Sequence, residues 1–183
     1  MAMEQEAIGI VARLMVLSAR TAPKAKGVDA IVARVIPGDE TARLANEMKS
    51  YGEVNSVRFF IRDAQAVAVA DAVVLLGVRG CVSAGLNCGG CGHATCAEME
   101  AAFAEKADSG TVFAGPNCVF RMADLGIAVG SAVKTAAMHN ADNRVMYSAG
   151  AAALSLDLLD NATVALGIPL KAAGKNIFFD RGS

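Results

Sequence analysis

The sequence predicts an α+β protein, a single sheet flanked by helices and carrying a cysteine-rich loop. Three observations predict it. Strand-like and helix-like segments alternate along the 183 residues, the pattern of a sheet packed with helices. The run AVVLLGV (72–78) is continuously apolar, as a strand covered on both faces would be. Apolar residues make up 54% of the chain against 19% charged. That supply and that length suit one compact domain, residues 1–183, with a real core.

The elements follow in order. Residues 3–20 read as a helix: Ile8, Val11 and Met15 share one face, and Ile10, Leu14 and Leu17 widen it. RTAPKAKG (20–27) breaks the pattern with a proline, a glycine and three cations. AIVARVI (30–36) reads as a buried strand. PGDETARLANEMKSYG (37–52) follows as a helix, with Asp39 as N-cap and Gly52 as stop. RDAQAVAVAD (62–71) reads as a short helix opened by Asp63, and 72–78 as the clearest strand. After a loop from Gly80 to about Thr95, a helix is expected over Ala94–Lys106 and a short strand over Thr111–Ala114. A long helix spans 119–139. On it Gly126, Gly130, Ala128, Ser131, Ala132 and Ala136 make a small-residue face. Such a face suits close packing in the core or across a dimer interface, and the core is the expectation. Asp124 near its start favours the helix dipole. NADNR (140–144) reads as a turn, 148–159 as helical, and ATVALGI (162–168) as a last strand ended by Pro169. The tail KNIFFDR (175–181) reads as extended and amphipathic.

Composition excludes several functions. A net charge of −1 gives neither nucleic acid nor an anionic membrane a reason to bind. MAMEQEAIGI carries glutamates where a secretory signal would carry cations. The most apolar run, 66–78, is too short to span a bilayer and is interrupted by Asp71. The expectation is a cytoplasmic protein. There is no Walker loop and no GxGxxG after a strand. His93 and His139 have no nucleophile motif beside them.

Residues 80–118 are a cysteine-rich segment embedded in the domain. In NCGGCGHATC (87–96), Cys88, Cys91 and Cys96 lie on one loop that runs into a helix. Gly89, Gly90 and Gly92 let the backbone curl, and N–H groups of such a loop can point at an anionic centre. Cys118, in GPNC, can return to the same place as a fourth ligand. Four thiolates suit a [4Fe–4S] cluster. Zinc accepts four thiolates, or three with His93. A thiol–disulfide switch needs only Cys88 and Cys91. The spacing alone does not choose among them, although in a cytoplasmic setting clustered cysteines favour metal or redox roles over structural disulfides. Cys81 reads as a small, partly buried residue.

The stretch NCGGCGHATCAEMEAAFAEKADSG, with the later GPNC, resembles the iron–sulfur module of corrinoid iron–sulfur proteins. The ferredoxin-like subunit of an ion-pumping electron-transfer complex carries a similar module. The whole chain resembles an uncharacterised prokaryotic family described as containing a ferredoxin domain, through RTAPKAKGVD, FFIRDA, GLNCGGCG, DLGIAVGSAV and GIPLKAAGKNIFFDR. The resemblance implies a cluster on Cys88, Cys91, Cys96 and Cys118.

The basic segment is a second candidate site. Arg20, Lys24 and Lys26 sit near Ser18, Thr21 and the Gly27 backbone, a group that could hold a phosphate. The alternative is a solvated basic turn. The order of segments resembles flavin-dependent nitroreductases: a first helix with an Arg/Ser segment, then DLGIAVGSAVKTAAMHN, then MYSAGAAALSLDLLDNATVALGIP. That resemblance implies their fold, FMN as cofactor, further phosphate contacts from Lys175 and Arg181, and a homodimer to be considered.

Three functions therefore stand. The first is a redox protein with one [4Fe–4S] cluster, with or without FMN, exchanging electrons with an unidentified donor or acceptor protein or reducing an unidentified substrate. The second is a non-enzymatic binding or scaffold protein stabilised by zinc or a cluster. The third is a thiol redox sensor.

Overall fold

The computed structural model describes residues 2–106 and 110–179. Helix α1 is Ala2–Thr21 and strand β1 is Ile31–Pro37. Helices α2 (Thr41–Val54) and α3 (Arg58–Ala68) follow, then β2 (Ala72–Val78). Beyond the cysteine loop come α4 (Cys96–Lys106), α5 (Val119–Met138), β3 (Asp142–Asn143), α6 (Tyr147–Ser155) and β4 (Val164–Lys171). The strand order is β1-β2-β4-β3, and every pairing is antiparallel. Among the described residues no helix is long and apolar enough to cross a membrane.

The sheet separates two cores, which is why β2 is buried along its whole length. Side chains alternate across a strand. Val74, Leu76, Val78, Ile168 and Leu170 pack with Ile8, Val11 and Met15 of α1 and Leu125, Ala128 and Ala132 of α5. Val73, Leu75 and Ala165 face the other way, onto Leu44 and Met48 of α2, Phe60 and Val67 of α3, and the alanines of α6. Helix α6 lies very close to β4. A Cβ at Gly150 would run into the Ala165 carbonyl, and one at Gly167 would lie 2.5 Å from the Ala149 Cβ.

Several expectations change, each for a physical reason. On α1, Ile10 and Leu17 do not widen the buried face; they are 49% and 58% exposed. A 3-10 turn over Gly38–Glu40 precedes α2. The helix therefore opens at Thr41, whose hydroxyl donates to Gly38 O (2.9 Å), and Asp39 does not cap it. Gly52 does not stop α2. It is where α2 meets α3, since a Cβ there would lie 2.8 Å from Ile61 Cγ1. Helix α3 starts at Arg58, not at Asp63. Phe60, Asp63, Ala64 and Val67 form its buried face, and Asp63 accepts a hydrogen bond from Ser148 of α6 (2.8 Å).

Residues 111–114 form no strand, and α6 ends at Ser155. The segment 140–144 includes the short β3. Strand β4 runs through Pro169 to Lys171. Gly167 exchanges both backbone bonds with Met146 on the outer side of β4. Two residues on, the missing N–H of Pro169 falls on that same side, between the Met146 bridge and β3, so it interrupts the short outer pairing and leaves the β2 ladder intact. Gly126 and Gly130 leave the core expectation as well: both are exposed, and a Cβ on either would meet nothing within 4 Å. In the tail, Phe178 is buried and its carbonyl accepts from Arg144 (2.8 Å). Residues 178–179 turn rather than extend.

Candidate functional site

The cysteine loop hangs from the end of β2 and is closed there. Gly80 N–H donates to the Thr163 hydroxyl (3.0 Å), which lies 2.5 Å from Asn117 Oδ1. Gly80 O accepts the Cys118 N–H (2.8 Å). A Cβ at Gly80 would collide with the Asn117 side chain, so glycine is required at that crossing. Cys118 stands as the residue before α5, 5% exposed, in a small apolar cluster with Ala84 and Met99. Cys91 and Ala25 pack against the same cluster.

Helix α4 begins with a reciprocal cap. Glu98 N–H donates to Thr95 Oγ1 (3.2 Å), and Thr95 N–H donates back to Glu98 Oε2 (3.2 Å). This capping box satisfies two of the backbone N–H groups a helix start leaves over, and it sets Cys96 at the first helical position. Asn87 then clasps Cys96 from both sides. Its Oδ1 accepts the Cys96 N–H (2.8 Å), and its own N–H donates to Cys96 Sγ (3.3 Å). Asn87 adopts φ 45° to do so. The Asn87 N–H holds the Cys96 thiol pKa below the ordinary value. The Ser83 hydroxyl and the Leu86 and Gly85 N–H groups act in the same direction, against a smaller opposing effect of burial. Hydrogen bonds to sulfur stabilise a thiolate over a thiol.

Cys88 is exposed and Cys81 is partly buried. Cys88 Sγ lies 3.6 Å from where a Gly90 Cβ would stand, and Val119 Cγ1 lies 2.7 Å from the same point. Gly90 therefore lets the loop pass between Cys88 and the start of α5. His93 is half-buried in the loop.

The basic segment is tied down rather than open. Lys24 has a side chain only 3% exposed and donates to the carbonyls of Ala19, Arg20 and Ala22 (2.8, 2.8 and 2.9 Å). It thus satisfies the end of α1. Arg20 donates to Ile31 O and pairs with Asp29 (3.1 Å). Ser18 Oγ donates to Leu14 O (3.0 Å) and lies 2.7 Å from Thr135 Oγ1. Lys26 is exposed, its Nζ 3.8 Å from a Cβ position at Gly85, so it reaches the cysteine loop. Lys175 is exposed in the tail, and Arg181 lies outside the described residues.

The residues that join these two segments are ones the sequence reading missed. Arg121, on the first turn of α5, donates to Val28 O (3.0 Å) and Val82 O (3.2 Å) and pairs with Asp124 (3.1 Å). Asp124 accepts the Ala25 N–H (2.8 Å). Both side chains are buried, and Asp124 is a member of this network. One buried pair thereby fixes the basic turn and the loop to the same helix end. The signal was an Arg and an Asp three apart on α5, which on a helix reads equally as a surface pair. The Thr95/Glu98 cap was legible as T-x-x-E.

The donor chemistry suits a thiolate-bound cluster. Four cysteines sit on one loop and at two helix starts, and the Asn87 N–H already donates to one of them. As the side chains stand, no three His, Cys, Asp or Glu among the described residues are arranged to hold a metal ion. Zinc draws no support from these observations. For an FMN phosphate, the donors of Ser18 and Lys24 are engaged within the protein.

Residues 114–181 match a family described as "Uncharacterized protein containing a ferredoxin domain". The matched stretch takes in Cys118 and begins after the loop cysteines. An uncharacterised protein of Archaeoglobus fulgidus is 45% identical over 179 residues, covering 97% of this chain and 94% of the relative. Among solved structures, a putative nitroreductase of Desulfovibrio desulfuricans in complex with FMN is similar, with TM-score 0.57 and 15% identity, over 94% of this chain and 78% of that one. The nitroreductase CinD of Lactococcus lactis in complex with nicotinic acid gives TM-score 0.56 and 15% identity, over 94% and 84%. At that identity the likeness is one of fold: the chain has a nitroreductase-like α+β architecture.

Proposed function

This chain belongs to the family of uncharacterised proteins containing a ferredoxin domain, and from that premise we propose that it is a redox protein holding one [4Fe–4S] cluster on Cys88, Cys91, Cys96 and Cys118. The observation that carries the reading is the closure of the loop. The Cys118 N–H bonds Gly80 O, and Cys91 packs against the cluster of Cys118, Ala84 and Met99. A bound cluster would supply one-electron transfer. The chain's own residues supply the rest. The Asn87 N–H donates to the Cys96 sulfur, and Ser83, Leu86 and Gly85 act with it to lower the thiol pKa, which favours the deprotonated ligand. Arg121 holds the start of the loop, and Met99 and Ala84 exclude water from Cys118.

The decisive experiment is the absorption spectrum of protein prepared without oxygen, before and after dithionite. A broad brown band that bleaches is the expected result. Iron and sulfide should be lost in Cys91→Ser. A colourless protein from an iron-replete anaerobic preparation, or a variant that keeps full iron and sulfide, would sink the reading.

FMN is a second reading, favoured by the fold and by a similar nitroreductase that contains it. Its phosphate would have to draw Ser18, Arg20 or Lys24 out of their present contacts, with Lys26, Lys175 and Arg181 as the other candidate partners, so it should bind weakly. A resolved flavin band in the same spectrum tests it. The protein would act in the cytoplasm with an electron donor or acceptor protein, a setting that suits cysteines clustered as metal ligands. It would form a homodimer through the exposed α1 and α5 face of Ile10, Leu17, Gly126, Ile127 and Gly130.

A further inference from the structure

A cleft of about 790 Å³ lies on the opposite side of the sheet from α1 and α5, among α2, α6 and residues 110–113. It is within the range of small-molecule sites. Its rings come from three elements: Tyr51 of α2, Tyr147 of α6, and Phe113. They are held in place by one another and by Phe60. Phe113 and Tyr147 meet edge to face at 5.2 Å, Phe60 and Tyr147 at 5.7 Å, and Tyr51 and Phe60 lie 4.6 Å apart. Ala151 and Ala152 leave the space beside them free. Glu47 carries the one charge among the described lining residues, oriented by the Ser155 hydroxyl (2.6 Å). Aromatic rings beside a carboxylate, with no lysine or arginine among the described lining residues, favour a cation over an anion.

We propose that this cleft is a binding site for a small organic cation, an alkylated ammonium set against the Tyr51, Phe113 and Tyr147 rings with Glu47 as counter-ion. The site is separate from the cysteines and from the basic turn, and it stands whether or not a cluster is held. Phe113 is five residues before Cys118 in the chain, so the same short segment frames both places.

The chain has two tyrosines and no tryptophan, and both tyrosines line this cleft. Ultraviolet emission of the full chain therefore reports on it directly. We would titrate with choline, with its uncharged isostere 3,3-dimethylbutan-1-ol, and with 3,3-dimethylbutanoate. Choline should give a saturable change. The neutral isostere should bind roughly tenfold more weakly, and the anion should give no saturable change. Glu47→Gln, which keeps a partner for Ser155, should weaken choline several-fold, and Tyr51→Leu should abolish its binding. A linear, unsaturating response to choline, or equal affinity for the neutral isostere, overturns the proposal. The ligand series is read on the unaltered chain, so a variant that fails to fold does not protect the idea.

Discussion

Replacing Arg121 by Met tests the network that joins the basic turn to the cysteine loop. The side chain is 5% exposed and makes three polar contacts: Val28 O, Val82 O and Asp124. Methionine fills similar space and supplies none of them. Asp124, 3% exposed, would keep only the Ala25 N–H. Breaking one side of a buried ion pair costs about 3–5 kcal/mol, because a charge is left without its counterpart. For a protein of this size each kcal/mol lowers Tm by about 2–4 °C, so the loss should approach about 10 °C. Urea denaturation followed by far-ultraviolet circular dichroism gives the free energy, with an unchanged m-value as the check that the unfolded state is the same. Adding Asp124→Asn removes the stranded charge while keeping an acceptor for Ala25, so the double variant should regain about 2 kcal/mol of that loss. A single variant destabilised by less than about 1 kcal/mol would refute the argument, since the pair would then behave as an exposed one.

Three further outcomes follow from the same contacts. Gly150→Ala sets a methyl group against the Ala165 carbonyl and should cost about 3 kcal/mol in the same denaturation assay, because neither backbone can retreat. Thr95→Ala removes half of the α4 cap and should cost about 1 kcal/mol, with faster exchange of the Glu98 amide hydrogen. Burial, with the neighbouring Tyr51 phenol, raises the Tyr147 pKa above the ordinary 10.0. The folded state therefore holds that proton to higher pH than the unfolded chain. The resulting stability is fully present below pH 10.0 and is lost as pH rises through the folded value. Absorbance titration of phenolate, compared with Tyr147→Phe, should show the missing step above 10.0.

Strand β2 was legible in the sequence because two helical layers cover it, and a strand buried on both faces needs apolar residues throughout. Helix α1 was legible only in part. Ile8, Val11 and Met15 face the sheet, but Ile10 and Leu17 are equally apolar and point away from it. Periodicity cannot distinguish a wide buried face from a narrow one beside an exposed patch. The cysteines stood out by type and spacing, and their loop lies where the segment order put it. What holds the loop did not stand out. Lys24 reads as a surface cation until the chain folds its amine back onto the carbonyls of α1. Asp124 reads as a helix-dipole residue and Arg121 as nothing in particular until β1's lead-in and the loop close over them. These roles depend on which backbone groups arrive from distant segments, and composition carries no record of that.

The hydrogen bond from Cys118 N–H to Gly80 O makes the segment between them a closed excursion: it leaves the sheet and returns to within one bond of its departure. Such a segment is a cassette. Its two ends stay one hydrogen bond apart whatever the length between them, and the cost of closing it grows slowly with that length. A lineage could therefore lengthen or rebuild the cysteine segment without re-registering any strand. Laboratory grafting should be permitted at the same two positions, with Gly80 and Asn117 kept as the seam.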